Sequence, residues 1–242
     1  MKILIVNDDG MNAAALPHLI RWARGLGEVT CVTPKFEQSG KSQAIDFLHP
    51  VEIKKIPIAE DILVWAMDST PADCVRFGVT GLGVTYDLIL SGINRGYNLG
   101  DDIAYSGTVG AINEGGRLGI PSIALSYDVG ALDEALGMLD GWWDFMEANK
   151  LLEKGSLYNV NFPHTATPKG IRVTRQGGEF YSDAFEYRGD DMYMQVGAPI
   201  AYDRCDLSID IDAIRAGYIS VTPMTWQKTD WRVYETVKDI NQ

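Results

Sequence analysis

Two adjacent carboxylates stand near the start of the chain, at the point where a buried strand should end. The sequence opens MKILIVNDDG, so an apolar run leads directly into Asn7, Asp8 and Asp9. Neighbouring carboxylates repel one another, and a protein that buries them usually offsets this repulsion with a cation, a proton or hydrogen bonds. The pair therefore predicts a site for positive charge.

Two further polar segments follow later strands. EQSGKS places Ser39 after the second predicted strand, and SGINRGYNLGDDIAYSGTVG places Asn94 after the strand YDLIL. In a doubly wound sheet the carboxyl ends of several strands meet at one crevice, so we expect Ser39 and Asn94 to lie beside Asp8 and Asp9. Carboxylate, hydroxyl and amide oxygens suit a hard divalent ion. We therefore predict one Mg²⁺ or Mn²⁺ ion per subunit.

A phosphate site is predicted beside this ion. YSGTVG places Ser106, Gly107 and Thr108 at the start of a helix, where unpaired amides and hydroxyls bind phosphate. We assign the turn at Ser39 and Gly40 to the same site. An ion next to such amides could polarise a phosphoryl oxygen and lower the pKa of a bound water. These are the parts needed to hydrolyse a phosphomonoester.

One aspartate of the acidic pair is also expected to accept a proton during the reaction. His18, His49 and His164 all lie outside these motifs, so a histidine general base is not expected. We assign the catalytic roles to Asp8 and Asp9, with Asp9 as the proton acceptor.

Each of these residues also has a purely structural explanation. Asp8 or Asp9 could cap the first helix, although capping explains one carboxylate and not two. Asn94 could occupy a left-handed backbone position, and Ser106 or Thr108 could be an ordinary helix N-cap.

The pattern of apolar residues predicts the elements that position these groups. Over the first 127 residues β-type runs such as KILIV and EVTCVTP alternate with helical patterns, which favours a parallel sheet covered on both faces. A long amphipathic helix is expected over residues 131–152. Beyond it YNVNFP, GIRVTR, FEYR and MYMQV indicate strands in an antiparallel arrangement, with GDD as a hairpin turn. LSIDIDAIRAG and YISVTPM follow as a short helix and a final strand.

The fold class predicted from these elements is α/β, with a doubly wound, mostly parallel sheet and a β-rich C-terminal region. Residues 1–152 should form the core with the metal and phosphate site. Residues 153–242 should continue that core and add a β-hairpin and an oligomerisation tail, so that the whole chain is one structural unit.

The composition of the chain argues against several kinds of binding partner. The 242 residues are 46% hydrophobic, which is enough for a real core, and carry a formal net charge of −12. Such an acidic chain is not expected to bind nucleic-acid polymers or anionic membranes. No apolar run approaches a membrane span, and the three cysteines lack disulfide or zinc spacing, so we expect a cytoplasmic protein with buried thiols.

The motifs in order resemble the SurE family of survival proteins, which are metal-dependent 5′-nucleotidases. The resemblance rests on NDDG, QSGKS, STPADCV, SGINRGYNLGDDIAYSGTVGA and GYISVTP, which together cover most of the chain. It implies a Rossmann-like core with a smaller protruding β-rich region, hydrolysis of nucleoside monophosphates, and dimers or tetramers that exchange C-terminal elements. It also implies that Asp8, Asp9, Ser39 and Asn94 are the metal ligands.

Three features depart from the usual pattern of that family. Residues Asn12–Leu16 replace an Ala-Pro-Gly segment, Ser69 stands where glycine is usual, and Asp46 stands where threonine is common. The proposed ligands are intact, so these changes bear on substrate preference more than on catalysis.

Other protein classes fit less well. A response-regulator receiver needs an aspartate after the third parallel strand and a lysine after a later one, whereas Ser91 and Tyr127 occupy these positions. A haloacid-dehalogenase phosphatase needs an aspartate where Asn7 stands. A receiver-like protein or a catalytically inactive homologue that binds metal or nucleotide remains the alternative.

The C-terminal tail predicts assembly. It carries apolar residues after the last core strand, with no further domain of its own to build, which indicates docking onto another subunit as a homodimer or homotetramer. These residues are Trp226, Trp231, Val233, Tyr234 and Val237.

Overall fold

The computed structural model describes residues 1–201 and 205–240. Strands and helices alternate through the first two thirds of the chain, as the apolar pattern predicts. The strands are β1 (Lys2–Val6), β2 (Glu28–Pro34), β3 (Ile53–Ala59), β4 (Ile62–Met67), β5 (Leu88–Arg95), β6 (Ser122–Tyr127), β7 (Leu157–Phe162), β8 (Ile171–Val173), β9 (Ala184–Gly189), β10 (Met192–Val196) and β11 (Ile219–Met224). The helices are α1 (Leu16–Arg24), α2 (Pro71–Arg76), α3 (Gly107–Arg117), α4 (Leu132–Ala148), α5 (Leu151–Lys154), α6 (Asp210–Arg215) and α7 (Trp231–Val237).

A nine-stranded sheet forms the centre of the fold, in the order β3-β4-β2-β1-β5-β6-β7-β11-β8. The strands from β4 to β7 in this order are parallel, while β3 and β11 run antiparallel to their neighbours β4 and β7. The predicted class, a doubly wound and mostly parallel α/β sheet, is therefore confirmed. The carboxyl ends of β1, β2, β5, β6 and β7 lie along one edge, which we call the carboxyl edge.

The first strand and helix show why these segments fold as they do. The side chains of Ile3–Val6 are fully buried because β1 lies in the middle of the sheet, with a neighbour on each side. In α1 the apolar residues Leu16, Leu19, Ile20 and Ala23 recur at helical spacing, and all four are buried. Apolar periodicity thus identifies both elements.

Several predicted details are wrong. The strand β3 was not predicted, because IKKIPIA is a partly exposed edge strand that contains a proline. The helix expected over residues 131–152 is divided at Lys150, whose φ of 50° ends α4 before α5 begins. The strand β7 pairs parallel to β6, and β8 pairs parallel to β11, so the expected antiparallel arrangement holds only for β7 with β11 and for the hairpin.

The C-terminal third contains two elements that lie apart from the main sheet. The strands β9 and β10 form a separate antiparallel hairpin whose turn contains Asp190 and Asp191 at positive φ, as GDD predicts. None of the residues of α7 is buried. Cys31 and Cys74 are buried as expected, but Cys205 is exposed because it lies in a surface segment. Within the described residues we find no helix with the length and apolar character needed to cross a bilayer.

Candidate functional site at the carboxyl edge

Asp8 lies two residues after the end of β1 and is almost fully buried, with 3% of its surface exposed. The residue that holds it is Thr108, whose backbone N–H donates to Asp8 Oδ2 over 3.1 Å and whose hydroxyl donates to Asp8 Oδ1. Burial raises the pKa of Asp8 to about 6, the hydrogen bond from the Thr108 hydroxyl opposes this, and the charge of Asp9 adds to it. Without a metal ion, Asp8 therefore keeps its proton to a higher pH than an exposed aspartate does.

The glycine at the start of α3 permits this contact. A Cβ on Gly107 would lie 3.0 Å from Cβ and 3.1 Å from Oδ2 of Asp8, and 3.2 Å from the carbonyl oxygen of Gln38. Any side chain here would press on the buried carboxylate. Gly107 is therefore needed for the close approach of the helix to β1.

Asp9 faces the end of the neighbouring strand. Its Oδ2 accepts a hydrogen bond of 2.9 Å from the backbone N–H of Arg95, the residue that follows Asn94. Burial raises the pKa of Asp9, and the nearby carboxylate of Glu37 raises it further, while the Arg95 hydrogen bond lowers it. In the part of the chain that the structure describes, this is the one hydrogen bond that the Asp9 side chain accepts. Its other oxygen thus has capacity for a cation.

The amide of Asn94 is oriented by its own loop. Its Nδ2 donates to the carbonyl of Gly96 over 2.8 Å, so the amide nitrogen is engaged and the carbonyl oxygen is left as an acceptor. The backbone of Asn94 has a negative φ, so the left-handed explanation for this residue is wrong.

Ser39 lies in an exposed turn after β2. The turn is tied to the site by Gln38, whose N–H donates to the carbonyl of Asp8 over 2.7 Å. The Ser39 hydroxyl itself donates to Glu37 over 2.7 Å and makes no hydrogen bond to either aspartate. Gly40 has a φ of +73°, and the space around its Cβ position is open. The structure thus brings Ser39 to the rim of the site.

The rest of this turn packs on α3. The N–H of Ser42 donates to the carbonyl of Tyr105, and its hydroxyl donates to the carbonyl of Ala104. The carbonyl of Ser42 lies so close to Gly110 that a Cβ there would collide with it. Gln43 extends the contact by donating to the buried Glu114 of α3 over 2.9 Å.

The start of α3 provides fewer free phosphate ligands than the sequence predicts. The Ser106 hydroxyl is the N-cap and accepts from Val109 N–H over 3.1 Å, while Thr108 gives both of its donors to Asp8. Among the described residues, the N–H of Gly107 has no acceptor outside its helix. The positive end of the helix and this amide remain for an anion.

The structure therefore brings the predicted residues together at two places, one around Asp8 and one around Asp9, and places Ser39 at the edge of the same site. Gly107 and Thr108 touch Asp8 directly, and Asp9 contacts the residue after Asn94. No group of three or more histidine, cysteine, aspartate or glutamate side chains among the described residues is arranged to hold a metal ion. An ion at this edge would need oxygens from the neutral side chains of Ser39 and Asn94 as well as the two carboxylates.

Two features of the site were missed from the sequence. Glu37 lies close enough to affect Asp9 and to bind Ser39, and only its position two residues before Ser39 could have indicated it. The second feature is Asp73, which joins two residues that depart from the family pattern. Its Oδ2 accepts from the Ser69 hydroxyl over 2.6 Å and from Asp46 N–H over 2.8 Å.

The fold and site define an α/β protein of the doubly wound class with an acidic, oxygen-rich site at the carboxyl edge. The family model described as Survival protein SurE matches residues 3–183. The 5′-nucleotidase SurE of Paramagnetospirillum magneticum is 40% identical over 98% of this chain and 95% of its own length. That of Pelotomaculum thermopropionicum is 38% identical over 99% of this chain and 95% of its own length. The crystal structure of the SurE protein of Aquifex aeolicus superposes with a TM-score of 0.80 at 34% identity, with both chains covered completely. The chain belongs to the SurE family.

Proposed function

We propose that this chain is a metal-dependent 5′-nucleotidase, which hydrolyses nucleoside monophosphates to nucleoside and phosphate. The observation that carries the proposal is the buried carboxylate of Asp8, set against Asp9 and against the N-terminus of α3. A carboxylate pair that recruits a cation next to a helix N-terminus suits a phosphate group. The names of the curated relatives, 5′-nucleotidase SurE, support the same activity.

The donor set fits a hard divalent ion, Mg²⁺ or Mn²⁺. Asp8 and Asp9 would supply charge, and the Asn94 carbonyl and the Ser39 hydroxyl would supply neutral oxygens. The raised pKa values of the two aspartates support this assignment, because a cation would favour the ionised forms that burial disfavours. One such ion per subunit would supply Lewis-acid stabilisation of the charge on the phosphoryl oxygens.

The chain's own groups divide the remaining work. Thr108 holds Asp8 in position through two hydrogen bonds, and Gly107 offers its N–H to a phosphoryl oxygen. Ser106 fixes the helix N-terminus at which that oxygen would lie, and Ser39 with Gly40 closes the rim. Asp9 would both bind the ion and accept the proton of the attacking water, because its single hydrogen bond leaves several acceptor sites on the carboxylate.

We also propose that the subunits assemble through their C-terminal elements, as a homodimer or a homotetramer. The exposed fractions of Trp231, Tyr234 and Val237 on α7 are 55%, 45% and 44%. A short helix with no buried residue gains little from folding alone, so contact with another subunit would account for its apolar face.

The test of the activity is phosphate release from a panel of esters. With Mn²⁺ present, AMP and p-nitrophenyl phosphate should be hydrolysed, while bis-p-nitrophenyl phosphate, a diester, should not. A protein that binds Mn²⁺ and AMP but releases no phosphate would instead be a non-catalytic member of the family.

A further inference from the structure

A cavity opens on the carboxyl edge, on the side of β5 away from Asp8. Its volume is about 330 Å³, and we call it the edge cavity. It lies beyond the ends of β6 and β7, which Asp128 and His164 follow closely in the chain. In a doubly wound sheet this edge is where ligands bind. The residues that bound it include Tyr97, Asp128, Pro163, His164, Phe180 and Arg215.

One loop joins the edge cavity to the proposed metal site. It begins at Asn94 and crosses β6, where Gly96 N–H donates to the carbonyl of Tyr127 over 2.8 Å. It ends over β7, where Asn98 N–H donates to Asn161 Oδ1 over 3.0 Å. Asn98 is buried, and its side chain donates to Ser126, so this end of the loop is fixed. Tyr97, between these anchors, thus has a defined place in the wall of the cavity.

The distance between the proposed metal site and the edge cavity suits a nucleotide. The strands β1 and β6 are separated only by β5, which puts their ends two strand spacings, or roughly 10 Å, apart. Arg95, whose N–H donates to Asp9, also pairs with Tyr127, the residue before Asp128, so the two sites are near one another. A phosphate at α3 and a sugar and base in the edge cavity can therefore belong to one molecule.

The polar groups of the edge cavity suit a sugar with two neighbouring hydroxyls. His164 Nδ1 lies 3.1 Å from Asp128 Oδ2, and both side chains are partly exposed. The other oxygen, Asp128 Oδ1, accepts from Val129 N–H over 2.8 Å, which fixes the carboxylate. A carboxylate at the end of a strand is a common partner of a ribose hydroxyl in doubly wound folds.

The remaining walls suit a planar base. Tyr97 packs against the buried ring of Phe180 at 6.4 Å between centroids and an angle of 70°. The guanidinium of Arg215 lies over the ring of Phe180, 5.6 Å from its centroid. An aromatic ring held in this way can stack on a nucleobase, and an arginine beside it can donate to acceptors on the base edge.

A larger cavity beside α3 is less suitable for the nucleoside. It has a volume of about 520 Å³ and extends beside α3 from Ser106 to Asn113, which is seven residues or roughly 10 Å along the helix. The turn at Ser42, fixed to the carbonyls of Ala104 and Tyr105, also lines it. This cavity therefore leads down the side of the sheet and away from the carboxyl edge.

We propose that the edge cavity binds the nucleoside of the substrate, with the ribose hydroxyls on Asp128 and His164 and the base against Tyr97. This inference rests on the proposed nucleotidase activity. It makes Asp128 a specificity-determining residue for ribonucleotides, because its carboxylate accepts hydrogen bonds that only a ribose with free hydroxyls can donate.

The experiment compares kcat/KM for AMP and for 2′,3′-dideoxy-AMP in the parent and in Asp128→Asn. The asparagine keeps the shape and can still accept from Val129, so the fold should be retained. The parent should prefer AMP by about tenfold or more, the effect of one hydrogen bond to a charged group, and the variant should lose most of this preference. His164→Ala should reduce the preference in the same direction.

A matched control is available in His18, an exposed histidine of α1 that lies outside the edge cavity. His18→Ala should keep the parental preference. Equal preference for AMP in the parent and in Asp128→Asn would overturn the inference while leaving the nucleotidase proposal in place. A parent that hydrolyses neither nucleotide with Mn²⁺ would overturn both.

Discussion

At the scale of single residues, the proton on Asp8 links stability to pH. Its pKa in the folded, metal-free chain is raised from 3.8 to about 6, so the folded state binds this proton more tightly than the unfolded state. The stabilisation is complete below about pH 4 and is lost as pH rises through about 6. It corresponds to about 3 kcal/mol in the free energy of unfolding.

The substitution Asp8→Asn should remove this pH dependence. In EDTA the parent should lose stability relative to the variant between pH 4 and pH 7, by about 3 kcal/mol. Urea unfolding of both proteins at several pH values measures the difference. A difference that stays constant over this range would show that Asp8 does not titrate as its burial requires.

The two donors of Thr108 predict a separate effect on metal affinity. Thr108→Val removes the hydroxyl that donates to Asp8 Oδ1, which should weaken Mn²⁺ binding by about tenfold because the ionised carboxylate loses a hydrogen bond. Thr108→Ser keeps the hydroxyl and is the matched control. Calorimetric titration with Mn²⁺ that finds the same affinity in the valine and serine variants would contradict this role.

At the scale of elements, the packing of the Ser39 turn on α3 predicts an effect of a single methyl group. Gly110→Ala would place a Cβ against the carbonyl of Ser42 and displace the turn that carries Ser39. Nucleotidase activity should fall by an order of magnitude or more, as expected when a catalytic group shifts by about 1 Å. The measurement is kcat/KM for AMP.

The control for Gly110 is another helical glycine with open surroundings. Gly137 in α4 has no atom within 4 Å of its Cβ position, so Gly137→Ala should retain activity and stabilise the fold by about 0.5–1 kcal/mol. Parental activity in a folded Gly110→Ala variant would show that the position of this turn does not matter for catalysis.

The sequence predicts individual helices and strands better than it predicts how they are arranged. Apolar periodicity identified β1, α1 and β2, because this signal is local. The direction of β7 depends on how α4 returns the chain to the sheet, which no local pattern contains. The contact of Thr108 with Asp8 spans 100 residues, so the sequence placed Thr108 in the site but assigned it to phosphate instead of the carboxylate.

At the scale of the whole molecule, the exposed tail predicts the oligomeric state. Removal of residues 230–242 should convert the parent assembly to monomers, because Trp231, Tyr234 and Val237 would no longer be available to another subunit. Light scattering at micromolar concentration measures the mass. Leu63→Ser, at a residue with 55% exposure in β4, is a control that should keep the parental mass. A monomeric parent would contradict the proposed assembly.

The measurement that tests the central claim most directly is a Mn²⁺ titration of the metal-free protein, with bound Mn²⁺ and AMP turnover recorded at each point. We predict that turnover rises in proportion to the occupancy of one site per chain, and that Asp8→Asn loses affinity and turns over AMP orders of magnitude more slowly. Full turnover by the parent in EDTA, or parental turnover by the folded variant, would contradict the account.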